Sequence, residues 1–224
     1  MPSIDYNNWK NKLIWKYMAS DWLNMWNTKF GQTEYAYGTE PNNYLKDKLQ
    51  HIPAGSILFA AEGEGRNAVY AAQLGWKVSA FDISEAGQQK ALKLAEDKKV
   101  SIDYKLGDLP DLGFKEEEFD ALALVYAHFP PTIRPEYLRM LSSYLKKGGH
   151  LIFEAFSKDH LAYKQQNPSV GGPNNVDYLF SLEELETSFT DFEILELKKT
   201  TVALNEGEGH IGTGSVIRFF GKKQ

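Results

Sequence analysis

A chain of 224 residues that is 42% hydrophobic and 25% charged is long enough to bury one α/β core without staples, and its composition excludes a disordered or fibrous class. The absence of cysteine excludes disulfides, thiolate metal sites and a cysteine nucleophile, and a net charge of -5 argues against sequence-independent nucleic-acid binding, which needs a concentrated basic surface. No stretch approaches the roughly 18 uninterrupted apolar residues of a membrane span, and MPSIDYNNWKNK has no signal-peptide core, so the expectation is one cytoplasmic domain over residues 1–224 that acts on a small molecule.

Between Tyr6 and Lys29, the residues Trp9, Leu13, Tyr17, Met18, Trp22, Met25 and Trp26 recur at helical spacing and predict an amphipathic helix. Core packing accounts for such a stripe, but four of the five tryptophans fall here, which also suits a lid of aromatic rings over a ligand. Residues 1–50 therefore read as a helical lid on a core of residues 51–224. Short apolar runs then predict strands at Ser56 to Ala61, Lys77 to Ile83, Ser101 to Leu106, Phe119 to Ala127 and His150 to Phe156. Helical patterns separate them at Arg66 to Leu74, Glu85 to Lys98 and Thr132 to Lys146, the last expected to stop at KKGG. Ser181 and Glu184 form a capping-box pair before one more helix. Two further strands, Phe192 to Leu204 and Gly214 to Phe220, flank the glycine-rich NEGEGHIGTG and predict an antiparallel hairpin. Alternating strands and helices imply a doubly wound, mainly parallel, seven-stranded α/β sheet of Rossmann-like type with that hairpin at its C-terminal end.

Gly63, Gly65 and Ala68 satisfy G-x-G-x-x-G/A between a strand and a helix, and Asp82 follows Gly63 by nineteen positions at the end of the next strand. That spacing is the signature of a nucleotide-binding βαβ unit, with Asp82 placed to accept hydrogen bonds from ribose hydroxyls. Glu62 and Glu64 sit among the glycines, where a dinucleotide would put its pyrophosphate against the helix N-terminus. Like charges about 4 Å apart repel by roughly 4 kcal/mol at an effective dielectric of about 20. S-adenosyl-L-methionine (SAM) avoids that conflict, because it joins an adenosyl group to a sulfonium and an ammonium and carries no phosphate.

YGTEP, EGEGRNA, FDIS, GDL, GEGH and VIR together resemble the class I SAM-dependent methyltransferases, nearest to the group that includes the tellurite-resistance and thiopurine enzymes. The resemblance implies that Gly63 and Gly65 line the methionine part of SAM, with Glu62 or Glu64 near its ammonium and Arg66 or Asn67 close by, and that Tyr37 and Gly38 also belong to the cofactor site. It places Asp82 on the ribose, Gly107, Asp108, Leu109 and Ile83 around the adenine, and Tyr126 with the residues up to Phe129 below the methyl group. One departure stands out: Phe59 and Ala61 occupy positions where the family commonly has an acid and a glycine.

His128, after the fourth strand, and His210, with Arg218 in the next strand, are the candidates for a base or substrate contact. Each has a structural alternative, His128 as a support beneath the cofactor and His210 as part of a solvated hairpin tip. The five histidines are scattered and predict no metal site. Methyl transfer from SAM to a small acceptor, with a thiol or other soft nucleophile in view, is the first reading. A NAD-dependent oxidoreductase and a SAM-binding module without turnover are the alternatives, and oligomeric state is not legible.

Overall fold

The computed structural model describes residues 20–224. The expected N-terminal helix is present as α1, helical at residues 20–30, whereas Trp9, Leu13, Tyr17 and Met18 lie outside the described residues. The other helices are α2 (Asn43–Leu49), α3 (Arg66–Gln73), α4 (Glu85–Asp97), α5 (Arg134–Tyr144), α6 (His160–Gln166) and α7 (Leu182–Ser188). The strands are β1 (Ser56–Ala60), β2 (Lys77–Asp82), β3 (Asp103–Leu106), β4 (Phe119–Val125), β5 (Leu145–Phe156), β6 (Phe192–Glu206) and β7 (His210–Lys223). They form one sheet in the order β3-β2-β1-β4-β5-β7-β6. Strands β1 to β5 pair in parallel, and β7 lies antiparallel between β5 and β6.

Side-chain alternation along each strand divides the core between the two faces of the sheet. In β1, Ile57 and Phe59 join Leu45, Ala68 and Ala71 on one face, while Leu58 and Ala60 join Leu122, Leu124 and Phe153 on the other. Phe59 is only 1% exposed, so the position expected to hold an acid is filled by a core ring. Alanines on the inner side of α3 let that helix lie close to the sheet.

Several element ends differ from expectation, most at α5 and β5 and in the hairpin. Helix α5 stops at Tyr144 because Leu145 turns extended, with φ -80° and ψ 131°, and residues 146–149 instead form a bulge in β5. Phe119 pairs with Leu145 and Ala121 with His150 across it, and Lys146 pairs with Asp120 at 2.7 Å rather than capping the helix. In the hairpin, pairing continues through Asn205↔Ile211 and Glu206↔His210, so most of the glycine-rich segment is strand and only residues 207–209 form the tip. Ser181 does cap α7, accepting from the Glu184 N–H at 3.3 Å. The Glu184 carboxylate turns to Arg134 at 2.7 Å and leaves the reciprocal half of the capping box unmade.

The strand order reverses at β1, between β2 and β4, and ligands of open α/β sheets collect at the carboxyl ends of the strands beside that reversal. The loops leaving β1, β2, β3 and β4 converge there. No helix among the described residues is long and apolar enough to cross a membrane.

Candidate active site

A cleft of about 960 Å³, counting the part open to solvent, lies over these loops. Gly63 takes φ 63°, and a Cβ on it would stand 2.8 Å from the Phe30 ring. Its peptide is fixed from both sides: Asp82 Oδ2 accepts from the Gly63 N–H at 3.0 Å, and the Tyr104 hydroxyl donates to its carbonyl at 2.6 Å. Asp82 Oδ1 accepts from the Ser84 N–H at 2.9 Å. A carboxylate has about four lone-pair sites, so Asp82 keeps capacity for a ligand hydroxyl while holding its own loop. Burial pushes its carboxyl up to about 6, against the hydrogen bonds from Ser84 and Gly63.

The two glutamates of the loop serve different ends. Glu62 Oε1 accepts from the N–H groups of Asn67 and Ala68 at 2.9 and 2.8 Å, the donors that a bound phosphate would use at this helix N-terminus. Glu62 thus occupies the anion site of α3 itself. Burial raises its carboxyl to about 7, despite these bonds and the nearby Arg66. Glu64, 4% exposed, pairs with Lys90 at 2.8 Å and accepts from the Ala36 N–H at 2.8 Å. Its charge is matched, and it anchors the segment carrying Tyr37 and Gly38.

That segment closes one side of the cleft through a polar network. The Asn42 N–H donates to Asn67 Oδ1 at 2.9 Å, and Arg66 donates to the carbonyls of Tyr37 and Glu40. Arg66 also pairs with Glu206 at 3.1 Å, while the Gly209 N–H reaches the Ala36 carbonyl at 2.8 Å. Glu206 in turn meets His210 Nδ1 at 2.9 Å. Burial alone would raise the Glu206 carboxyl, but His210 and Arg66 outweigh it and hold the group at about 2. Burial shifts the His210 imidazole downward, with Glu206 opposing. A neutral ring donating from Nδ1–H to the carboxylate leaves Nε2 as an acceptor, and Nε2 has no hydrogen-bond partner among the described residues.

At the end of β4, Tyr126 takes φ 55°, an uncommon conformation for a residue with a Cβ. Its hydroxyl donates to Glu154 at 3.2 Å, and its ring lies 4.6 Å from that of His210. His128 lines the cleft, but both nitrogens face backbone: Nδ1 meets the Tyr178 carbonyl at 2.9 Å, and Nε2 accepts from the Phe156 N–H at 3.4 Å. Burial lowers His128 to about 3. Trp22 and Trp26 of α1 form the opposite wall, Trp22 stacked on Tyr178 with ring centroids 5.4 Å apart.

The cleft brings together Tyr37, Gly38, Glu62, Gly63, Glu64, Arg66, Asn67, Asp82, Ile83, Asp108, Tyr126, His128 and His210. Gly65, Gly107, Leu109 and Arg218 do not line it. Gly65 opens α3 at φ 85°, where a Cβ would stand 2.5 Å from that of Ala91. The Gly107 N–H holds the Asp82 carbonyl at 3.0 Å, and the Leu109 N–H holds Asp108 Oδ1 at 3.0 Å. Arg218 pairs with buried Glu154 at 2.5 Å and lies over the Tyr44 ring. Sequence reasoning missed Glu206, Asn42 and Glu154. A charge inside the apolar run HLIFEAF was a signal, since a buried carboxylate requires partners. Among the described residues, no group of three or more histidines and carboxylates could hold a metal ion.

Residues 57–149 match a family described as a methyltransferase domain. No curated protein matches the sequence at a significant level. Among solved structures, one reported for the conversion of a disulfide bond into a thioacetal group during echinomycin biosynthesis superposes with a TM-score of 0.69, at 16% identity over 92% of each chain. TehB from Haemophilus influenzae gives 0.66 at 19% identity, covering 90% of this chain and 67% of that one. A SAM-dependent methyltransferase from Anabaena variabilis gives 0.67 at 16% identity, covering 92% and 95%. The cleft fits SAM on its own terms, since it closes the phosphate position with Glu62 and places Asp82 and Asp108 at the ends of neighbouring strands. Residues 57–149 thus match a methyltransferase domain, and the chain shares the fold of solved SAM-dependent methyltransferases.

Proposed function

We propose that the protein transfers a methyl group to a small protic acceptor, with His210 as the base. When bound, SAM supplies a sulfonium methyl already activated toward displacement. The protein's part is to orient the partners, exclude water and accept the acceptor's proton. Asp82 holds the ribose and Asp108 the adenine, with Ile83 beside the ring and Gly107 and Leu109 shaping the turn. Gly63, Glu62, Arg66 and Asn67 border the methionine part, with Tyr37 and Gly38 across from them. Gly65 and Glu64 support that loop. Tyr126 sets the floor and His128 braces it, which favours the supporting reading of His128. Arg218 acts at one remove, by fixing Glu154 under Tyr126. Residues 1–50 serve as the lid of a single domain, and Trp22 and Trp26 form its inner surface. A cytoplasmic setting rests on composition alone.

The observation that carries this reading is the Glu62 cap on α3, which leaves room for an adenosyl ligand but no anion site for a pyrophosphate. Calorimetric titration with SAM, its demethylated product and NAD tests it, with binding expected for the first two; binding of NAD alone would overturn it. Asp82→Ala is expected to weaken SAM by about 1.5 to 3 kcal/mol through loss of a charge-assisted hydrogen bond, in protein that still melts cooperatively. Unchanged affinity would move the ribose elsewhere. SAM binding with no acceptor turned over would favour a binding module.

A further inference from the structure

The lining of the cleft combines two chemistries. Among the described residues, every charged side chain that lines it, Glu62, Glu64, Arg66, Asp82 and Asp108, belongs to the glycine loop and α3 or follows the ends of β2 and β3. Among the described residues, the rest of the lining is largely aromatic and apolar, with the rings of Trp22, Trp26, Tyr126 and Phe129 and the side chain of Ile133. Lys29, whose charge acts on His210, does not line the cleft and donates to the Tyr37 hydroxyl at 2.6 Å. Beside the Tyr126 ring, at 4.6 Å between centroids, stands His210, with Nδ1 held by Glu206 at 2.9 Å and Nε2 without a hydrogen-bond partner among the described residues.

We propose that the acceptor is an uncharged aromatic alcohol, a phenol, lying among these rings with its hydroxyl on His210 Nε2. This rests on the methyltransferase reading. Among the described residues that line the cleft, an inorganic oxyanion would meet rings and no cation but Arg66, which is paired with Glu206, and leaving its charge unpaired there is costly. A thiol, with a pKa of about 8.5, already supplies some thiolate at neutral pH, whereas a phenol near 10 needs its proton removed as it reacts. The Glu206–His210 pair suits the second case. The phenol O–H bond breaks and its proton passes to Nε2, while the oxygen bonds to the methyl carbon. The carbon–sulfur bond breaks with its electron pair staying on sulfur, and His210 then gives its proton to solvent.

The test uses the full chain with simple phenols, aryl thiols of matched shape and tellurite. Calorimetry in the presence of the demethylated product reads acceptor binding, and label transfer from SAM reads turnover. Phenols are expected to bind and to be methylated. His210→Gln should lower their kcat by about 100-fold or more, with acceptor binding retained and turnover of the thiols changed much less. If His210→Gln does not melt cooperatively, Glu206→Gln takes its place, with a fall in phenol kcat expected at nearly constant KM. Turnover of tellurite with no binding or turnover of phenols would overturn the inference, as would an equal loss toward phenols and thiols in the tested variant. Absence of SAM binding would instead sink the reading on which it rests.

Discussion

Ala61 leaves β1 with φ 51°, a conformation that costs a residue with a Cβ about 1 to 2 kcal/mol and costs glycine little. The family's usual glycine at this position has a physical reason, and this chain departs from it. Ala61→Gly is expected to raise the unfolding free energy by roughly 0.5 to 1 kcal/mol, net of the entropy glycine loses on folding. A lower denaturant midpoint would show that packing of the Ala61 methyl against the core outweighs the strain. Glu62, next along, couples its cap to pH. Its folded pKa of about 7 lies above the ordinary 4.5, so its contribution to stability is full below about 4.5 and is lost as the pH rises through 7. Glu62→Gln keeps an oxygen for the Asn67 and Ala68 N–H groups but cannot titrate. Its stability relative to the parent should therefore rise between pH 5 and pH 8 in urea denaturation, and a constant difference would contradict the burial of this carboxyl.

At the level of elements, the site depends on a contact between segments distant in sequence. The hairpin tip packs onto residues 36–38, where a Cβ on Gly207, at φ 58°, would stand 2.5 Å from the Gly38 nitrogen. Gly207→Ala combines a left-handed penalty with overpacking against backbone, and is expected to cost about 2 to 4 kcal/mol in a thermal melt. SAM affinity should fall with it, because Arg66 bridges the same segment to Glu206; retained stability would mean the tip is free to move away. YGTEP and GEGH were legible in the sequence as separate pieces, but their meeting was not. The strands and helices could be read because apolar periodicity reports burial directly. Their ends moved where backbone pairing decided the matter, as in the extension of β6 to Glu206. Glu206 stayed hidden for the same reason: only the hairpin register sets it opposite His210, four residues on. The stacked glycine loop was readable because close approach of backbone demands glycine, whereas the roles of Glu62 and Glu64 depended on which N–H groups they reached.

Across the whole molecule, buried histidines set the response to acid. Burial lowers His128 to about 3 and His160 to about 4, and it also shifts His150 and His210 downward. A base with a depressed folded pKa contributes stability that is full above its unfolded value, near 6.5, and lost as the pH falls toward the folded one. Glu62 and Asp82 pull the opposite way between about 4 and 7. They are two groups against four, and the largest of these shifts belongs to His128. Below about 4.5, Glu206 and Asp120, each held at about 2, add to the loss. The protein should therefore lose stability steadily from pH 6.5 to pH 4. Each histidine that is neutral when folded and protonated when unfolded contributes up to about 1.4 kcal/mol per pH unit. Urea denaturation at half-unit steps checks the sign, since a midpoint that rises on acidification would give the carboxylates the larger share. His128→Asn should flatten the slope near pH 5 by up to about 1.4 kcal/mol per unit while lowering stability at pH 7, where the Tyr178 and Phe156 contacts are lost or weakened. An unchanged slope would mean that His128 takes up its proton in the folded state, which its enclosure between two backbone groups does not allow.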